Sequence, residues 1–362
     1  MKMIINELRW CIGLSLAFGW LWTSATLGDG PLFTGTEDTA GDRTFVVETK
    51  PGITARRSGS PATNSCGLGS ARFVLVDLGS LGRSRTVAEA INEHGQVAGW
   101  SGLVEQSGLR HGFLWSLSNG MEDVGTYDSD PASLAFGINS LGHVVGGSFP
   151  APYNLGRAFL WTAPGGMRDL GTLGGDGAEA DDINDSGTVV GTSRLRGSED
   201  LYPFLWTEKT GMRILGPLDG APGQARAINH AGDVVGYQRV QDGAKLATLW
   251  SNSAGTICLG TLPGKDRSFA SDINEDGMVV GRSGSSFVGI SAFKWTWESG
   301  MEELVSLLGG DAGAAGLNNH GHIVGVSDER AVLWDANGIV VDLNDLIAPD
   351  SGWFLAYYYS AG

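Results

Sequence analysis

Two carboxylates stand side by side at Asp181 and Asp182, and a third, Asp272, holds the place of Asp182 in a later stretch of similar sequence. Carboxylates that converge on one cavity can bind a cation or divide acid and base roles between them. In other copies of the same stretch the place of Asp181 is taken by Glu89 or Arg226. Polar filling of a wet channel explains the same residues without chemistry. The run Asp272-Ile273-Asn274-Glu275-Asp276-Gly277 matches the first half of a calcium-binding EF-hand loop, but Ser283 stands where that loop needs a bidentate glutamate. The other copies carry Ala90, Gly137, Ala227 and Gly316 at the place of Asp272, which argues against a metal. No Gly-x-Ser-x-Gly, His-Glu-x-x-His or phosphate loop occurs, and no histidine recurs in register with a carboxylate and a serine. No catalytic residue, cofactor or metal is expected.

The elements that position these carboxylates repeat six times. Each copy reads Ala-x-x-Ile/Leu-Asn, then Gly-x-Val/Ile-x-Gly, then an apolar stretch ending in Trp; its asparagines are Asn92, Asn139, Asn184, Asn229, Asn274 and Asn318. A period of roughly 40–50 residues holding several short strands indicates a β-propeller. The copies lie near 87–125, 134–171, 179–216, 224–260, 269–305 and 313–345. Each resolves into four strand signals: a, the Ala-x-x-Ile-Asn segment; b, the Val-Val-Gly segment; c, which ends in Trp; and d, the Met-x-Asp-Leu-Gly segment. Four antiparallel strands make one blade, so the expected fold is an all-β propeller over 71–362.

Ala88, Ala135, Ala180, Ala225, Ala270 and Ala314 open strand a, and their small size marks it as innermost, where blades converge. The tryptophans Trp115, Trp161, Trp206, Trp250, Trp295 and Trp334 close strand c, two residues after a Phe in most copies and therefore on its face. That pairing reads as packing between blades. Asn-x-x-Gly between strands a and b reads as a turn, with Asn bonding the backbone and Gly supplying positive φ.

In an antiparallel meander the b–c and d–a connections share one face of the ring. These loops vary most in length and sequence, which points to them as the side that meets partners. The face is expected to display Arg110, His111, Tyr127 and Asp128 from the first copy, Tyr153 and Arg157 from the second, and Arg194 and Tyr202 from the third. Arg239, Asp266 and Arg267 follow from the fourth and its exit. Mixed charge with tyrosine suits a polar polymer or a protein surface. The chain carries 24 Lys+Arg against 40 Asp+Glu, a net charge of −16, the wrong sign for nucleic acid or an anionic membrane.

Met1-Lys2-Met3 with Arg9, an apolar run from Trp10 to Trp22, and Thr23-Ser24-Ala25 fit a secretory signal peptide over 1–25. The run is short for a membrane span, so export to the periplasm, cell surface or medium is expected. Residues 26–70 are rich in Gly, Thr, Ser, Pro and Ala and read as a tether. Of the remaining cysteines, Cys66 and Cys258, the second is expected as a half-buried strand residue.

The string Arg157-Ala158-Phe159-Leu160-Trp161, Gly166-Met167-Arg168-Asp169-Leu170-Gly171 and Ile183-Asn184-Asp185-Ser186-Gly187-Thr188-Val189-Val190-Gly191 resembles the bacterial extracellular repeats named the HAF family. The resemblance spans roughly 72–355 and implies an exported propeller; it carries no catalytic residues. Phe73-Val74-Leu75-Val76-Asp77-Leu78-Gly79 is a strand d with no a–c before it, and Asp342-Leu343-Asn344 with Gly352-Trp353-Phe354-Leu355 leads into a copy that does not follow. The pattern is six complete blades, an orphan strand and an incomplete seventh. Strand edges left unpaired by an unclosed ring invite oligomerisation.

Overall fold

A computed structural model describes residues 45–49, 73–82, 86–103, 109–150, 155–216, 221–285, 289–347 and 355. The export segment and most of the tether lie outside the described residues. Within the tether, β1 (Phe45–Thr49) pairs antiparallel with β2 (Phe73–Asp77). Six four-stranded antiparallel sheets follow, each made of one continuous stretch with its strands in chain order, and they form a six-blade β-propeller. Blade 1 covers residues 86–125, blade 2 132–169, blade 3 174–214, blade 4 223–260, blade 5 267–303 and blade 6 312–342.

The blades form where the repeat places them. Val-Val of strand b is fully buried, as at Val144-Val145, Val189-Val190 and Val234-Val235, which suits β-branched side chains on a pleated sheet. The glycine three residues after each repeated Asn has φ between 71 and 81°, and its N–H bonds the Asn carbonyl, so the a–b turn closes in all six blades.

Strand a carries a one-residue bulge in every blade, between Ala180 and Asp182 in blade 3 and at the matching places elsewhere. The bulge brings a strand-a carbonyl over the glycine of strand b. A Cβ on Gly191 would lie 2.1 Å from the carbonyl oxygen of Glu179, and Gly99, Gly146, Gly236, Gly281 and Gly325 are equally closed. The last Gly of Val-Val-Gly is therefore a spacing requirement, and the bulge aims the next side chain at the ring axis.

The aromatic residues of strand c pack between blades. Phe159 and Trp161 of blade 2 contact Ala98, Leu114 and Val124 of blade 1, and Phe204 and Trp206 of blade 3 contact Val145, Ala158 and Leu170 of blade 2. The repeated alanines join these same clusters. They fill the inter-blade space, and the residues after them face the axis.

Cys258 sits on strand d of blade 4 as an exposed residue, not the half-buried one its sequence context suggests. The alternation of that strand turns its side chain outward, as it does for Asp123 in blade 1.

Candidate functional site

The channel, its mouth at the a–b turns and the b–c/d–a loop face each gather polar groups. At the mouth, residues from all six blades line a cavity of about 190 Å³. The repeated asparagines build it. Each buried Asn uses its side-chain carbonyl to accept N–H groups of its own turn, as Asn184 does from Ser186 and Thr188, both at 3.1 Å. In blades 1 to 5 its amide donates to the main-chain carbonyl of the next blade's Asn. These bonds run from Asn92 to Asn139 (2.9 Å), Asn139 to Asn184 (3.2 Å), Asn184 to Asn229 (3.0 Å), Asn229 to Asn274 (3.2 Å) and Asn274 to Asn318 (3.0 Å). The turn residue of the sequence is thus also the strap between blades.

The residue after each Asn forms an outer ring that sequence reasoning missed. His230 lies between Asp185 of blade 3, 2.7 Å from Nε2, and Glu275 of blade 5, 2.6 Å from Nδ1. Hydrogen bonding to Glu275 and then Asp185 raises the His230 pKa. Burial pushes Asp185 up, but the Ser140 N–H and the His230 ring prevail and hold it below the usual carboxylate range. The position is Glu93, Ser140, Asp185, His230, Glu275 and Asn319 through the six copies. Its only sequence signal is this acid–base–acid order at one repeat place.

Deeper in the channel, Asp181 and Arg226 form an inter-blade ion pair at 2.8 Å, and Arg226 also donates to Gln224. Asp182 accepts from the N–H of Ile183 in its own blade and of Ile228 in the next, at 2.8 and 2.9 Å. Asp272 does the same with Ile273 and Leu317. Both carboxyls therefore clamp neighbouring blades through their two oxygens. The calcium-loop fragment resolves in this way: Asp272 is spent on backbone N–H groups. Glu89 accepts from the indole of Trp100 at 3.1 Å.

Burial pushes Asp182, Asp272 and the neighbouring Glu179 up to about 7, outweighing the N–H bonds they accept; burial also raises Asp181 against the pull of Arg226. All four are half-buried channel residues. The sign for stability follows. Glu179, Asp182 and Asp272 hold protons more tightly in the fold than in the unfolded chain, so stability falls as pH rises from about 4 through about 7. His230 contributes fully below its unfolded pKa of about 6.5 and loses that contribution as pH rises through its higher folded value. Asp185 and Asp342, held low, lose theirs only as pH falls through the acid range. Thermal unfolding midpoints are therefore expected to fall between pH 5 and pH 8, and His230→Gln to flatten the upper part of that fall. A midpoint that rises over this interval would contradict the assignment.

On the loop face the sequence-predicted residues fall into local groups. Arg110 lies over the Trp100 ring at 5.0 Å, and His111 bonds Asp123. Arg157 lies over Tyr127 at 5.4 Å beside Asp130, and Asp128 takes a left-handed backbone with φ 54°. Tyr153 lies outside the described residues. Arg194 of strand b pairs with Asp176 at the start of strand a of the same blade, at 3.1 Å, and Tyr202 is half-buried opposite Ser193.

Blades 4 and 5 bring the most together. Arg239 pairs with Asp200, and Arg267 with Asp266. Sequence reasoning missed their neighbours: Lys245 over the Tyr237 ring at 5.2 Å, Arg282 over Phe269 at 5.0 Å, and the two rings edge to face at 5.1 Å. Arg239 and Lys245 are directly opposite in the ladder between strands b and c of blade 4. Burial first, then Arg239 and Arg267, lower the Lys245 pKa.

Serines fix this face. Ser148, Ser193, Ser283 and Ser327 of strand b each accept the N–H of a d–a loop residue, at 2.8–3.1 Å, so the loops are held to the rigid blades.

No protein-family model matches the chain, and no curated protein matches it. Among solved structures it is similar to TolB from Acinetobacter baumannii, at 12% identity and a TM-score of 0.49, over 67% of this chain and 61% of that one. It is similar to the β-propeller domain of the Trilobed protease from Pyrococcus furiosus, which has an open velcro topology. That match is at 10% identity and a TM-score of 0.49, over 85% of this chain and 98% of that one. It also matches dipeptidyl peptidase 4 from Porphyromonas gingivalis, at 10% identity and a TM-score of 0.45, over 84% of this chain and 50% of that one. The chain thus spans 61% and 50% of the lengths of TolB and the peptidase. No helix among the described residues is long and apolar enough to cross a membrane.

Proposed function

We propose that this chain is an exported or cell-surface binding module, of the kind the extracellular-repeat resemblance implies, that takes a polymer or protein partner on its b–c/d–a face. One observation carries the reading. Arg239 and Lys245 face each other across neighbouring strands in a protein whose net charge is −16. Like charges directly opposite each other in a sheet cost stability. Their position beside Arg267 and Arg282, over the rings of Tyr237 and Phe269, fits a seat for anionic groups of a partner. The serine bonds that hold the loops suit it, because a preformed surface loses less ordering entropy on binding.

A hydrolase or lyase acting through the channel carboxyls is the second reading, favoured by three acids near neutral pKa. Against it, both oxygens of Asp182 and Asp272 accept backbone N–H groups, and Asp181 is closed on Arg226. The test compares wild type with Lys245→Glu/Arg282→Glu on immobilised polygalacturonate and on an extracellular-matrix panel. Wild type is expected to bind in a salt-dependent way, and the double variant to lose about ten-fold or more in affinity, the effect of removing two cation contacts. Unchanged binding by the variant would overturn the site.

A further inference from the structure

Between blade 6 and blade 1 the ring has a seam. Strand a of each blade packs against strand a of the next at five junctions, and among the described residues no comparable packing joins blade 6 to blade 1. The asparagine strap is open at the same place. Asn318 turns its amide to His322 at 3.4 Å, and among the described residues no bond reaches the Asn92 carbonyl from a neighbouring blade.

Both sides of the seam carry parts of a further blade. Leu78, just after β2, packs on Ala88, Val97, Phe113 and Trp115 of blade 1. Leu170, just after strand d of blade 2, packs on the same places of blade 3: Ala180, Val189, Phe204 and Trp206. β2 is therefore the strand d of a blade preceding blade 1. β1 pairs with it in the register of a strand c, with Phe45 opposite Asp77 as Phe159 is opposite Asp169 and Phe113 opposite Asp123.

On the other side, Ala331 and Leu343 of blade 6 pack with Leu355, as Ala292 and Leu304 of blade 5 pack with Ala312, the first residue of the next strand a. Asn344 fixes Leu355 from both directions, accepting its N–H at 2.7 Å and donating to its carbonyl at 2.8 Å. The chain thus supplies strands c and d and the entry to strand a. Strands a and b of this blade are not among the described residues. The contact that strand c makes with the following strand a at the other junctions is not formed between β1 and blade 1.

We propose that the seam is a receptor for one β-hairpin carrying the a–b pattern, Ala-x-x-Ile-Asn-x-x-Gly-x-Val-Val-Gly, supplied from outside residues 1–362. The six hairpins of residues 1–362 with this pattern all lie inside blades, so none is free to fill it. The incoming strand b pairs with β1, and strand a enters between blades 6 and 1. Its asparagine closes the strap by accepting from the Asn318 amide and donating to the Asn92 carbonyl.

The test titrates the full chain into a fluorescently labelled peptide of sequence 179–195, its own a–b hairpin, with anisotropy and light scattering as readouts. Saturable one-to-one binding is expected, with a rise in the unfolding midpoint. Asn184→Ala in the peptide and Asn318→Ala in the protein are each expected to weaken binding about ten-fold, the loss of one or two neutral hydrogen bonds. A melting curve of the protein variant checks that it folds, and the peptide variant tests the strap independently. Lys245→Glu/Arg282→Glu is expected to bind the hairpin as wild type does, which separates this surface from the loop face. No saturable binding, binding indifferent to the peptide asparagine, or a dimer of the chain that excludes the peptide would overturn the proposal.

Discussion

Gly191→Ala is expected to cost about 3 kcal/mol, the upper end for overpacking, and to lower the unfolding midpoint sharply. The new methyl group would meet three backbone atoms: the Glu179 carbonyl oxygen at 2.1 Å, the Ala180 Cα at 2.9 Å and the Asp181 nitrogen at 3.0 Å. Backbone atoms cannot turn aside as a side chain can. Relief requires strands a and b of blade 3 to part, which breaks the ladder that carries Glu179, Asp181 and Asp182. Gly187→Ala is the control. It strains a positive-φ turn, φ 76°, but meets nothing within 4 Å. It should cost only about 1 kcal/mol. Equal midpoints for the two variants, measured by thermal or urea unfolding, would mean that the bulge does not hold the strands as described.

Asn229→Ala is the second large effect, at about 2–3 kcal/mol. It leaves the Asp233 N–H of the turn without its 2.9 Å acceptor and removes the 3.2 Å strap to blade 5. An unpaired buried donor costs about 1–3 kcal/mol, and a lost neutral hydrogen bond about 1. Against Asn139→Ala, which loses two turn bonds, from Leu141 at 3.1 Å and His143 at 3.0 Å, and the 3.2 Å strap to Asn184, Asn318→Ala is expected to cost about 1 kcal/mol less. It loses its turn bonds to His320 and His322, at 2.8 and 3.0 Å, but, among the described residues, no bond to a further blade. The difference between these two variants reports the open strap directly. Equal losses would indicate that Asn318 is strapped in solution as the other five are.

The repeat made the blade count and the strand order legible from sequence, because each rests on a period that recurs in every copy. What stayed hidden rests on contacts between copies. Asn229 reads locally as a turn residue, and nothing within its own repeat announces a bond to Asn274, 45 residues away. His230 is flanked in space by Asp185 and Glu275, yet in sequence it is one variable position. Lys245 reads in sequence as the first residue of a strand, whereas the ladder sets it against Arg239.

Small alanines in strand a correctly marked the inner strand. The physical cause was partly different: they relieve crowding between blades, next to glycines that a bulge forces close. Phe45-Val46-Val47 gave the least warning. A single short apolar run in a Gly- and Ser-rich stretch is weak evidence for a strand, and its meaning comes from pairing with Phe73–Asp77. The strand d at Phe73–Asp77 was visible, by contrast, as a break in a regular pattern, although it read as an orphan and the structure pairs it with Phe45–Thr49.

The partner face is the claim on which the functional reading stands, and hydrogen–deuterium exchange tests it most directly. The protein is equilibrated with polygalacturonate or with the matrix component it retains, and exchange is followed on both faces of the ring. Slowed exchange is expected in the b–c and d–a loops of blades 4 and 5, around Arg239, Lys245 and Arg267, with the a–b turns at His230 and Glu275 unchanged. Protection confined to the a–b turns and the channel mouth, with those loops unaffected, would contradict it and shift the function to the opposite face.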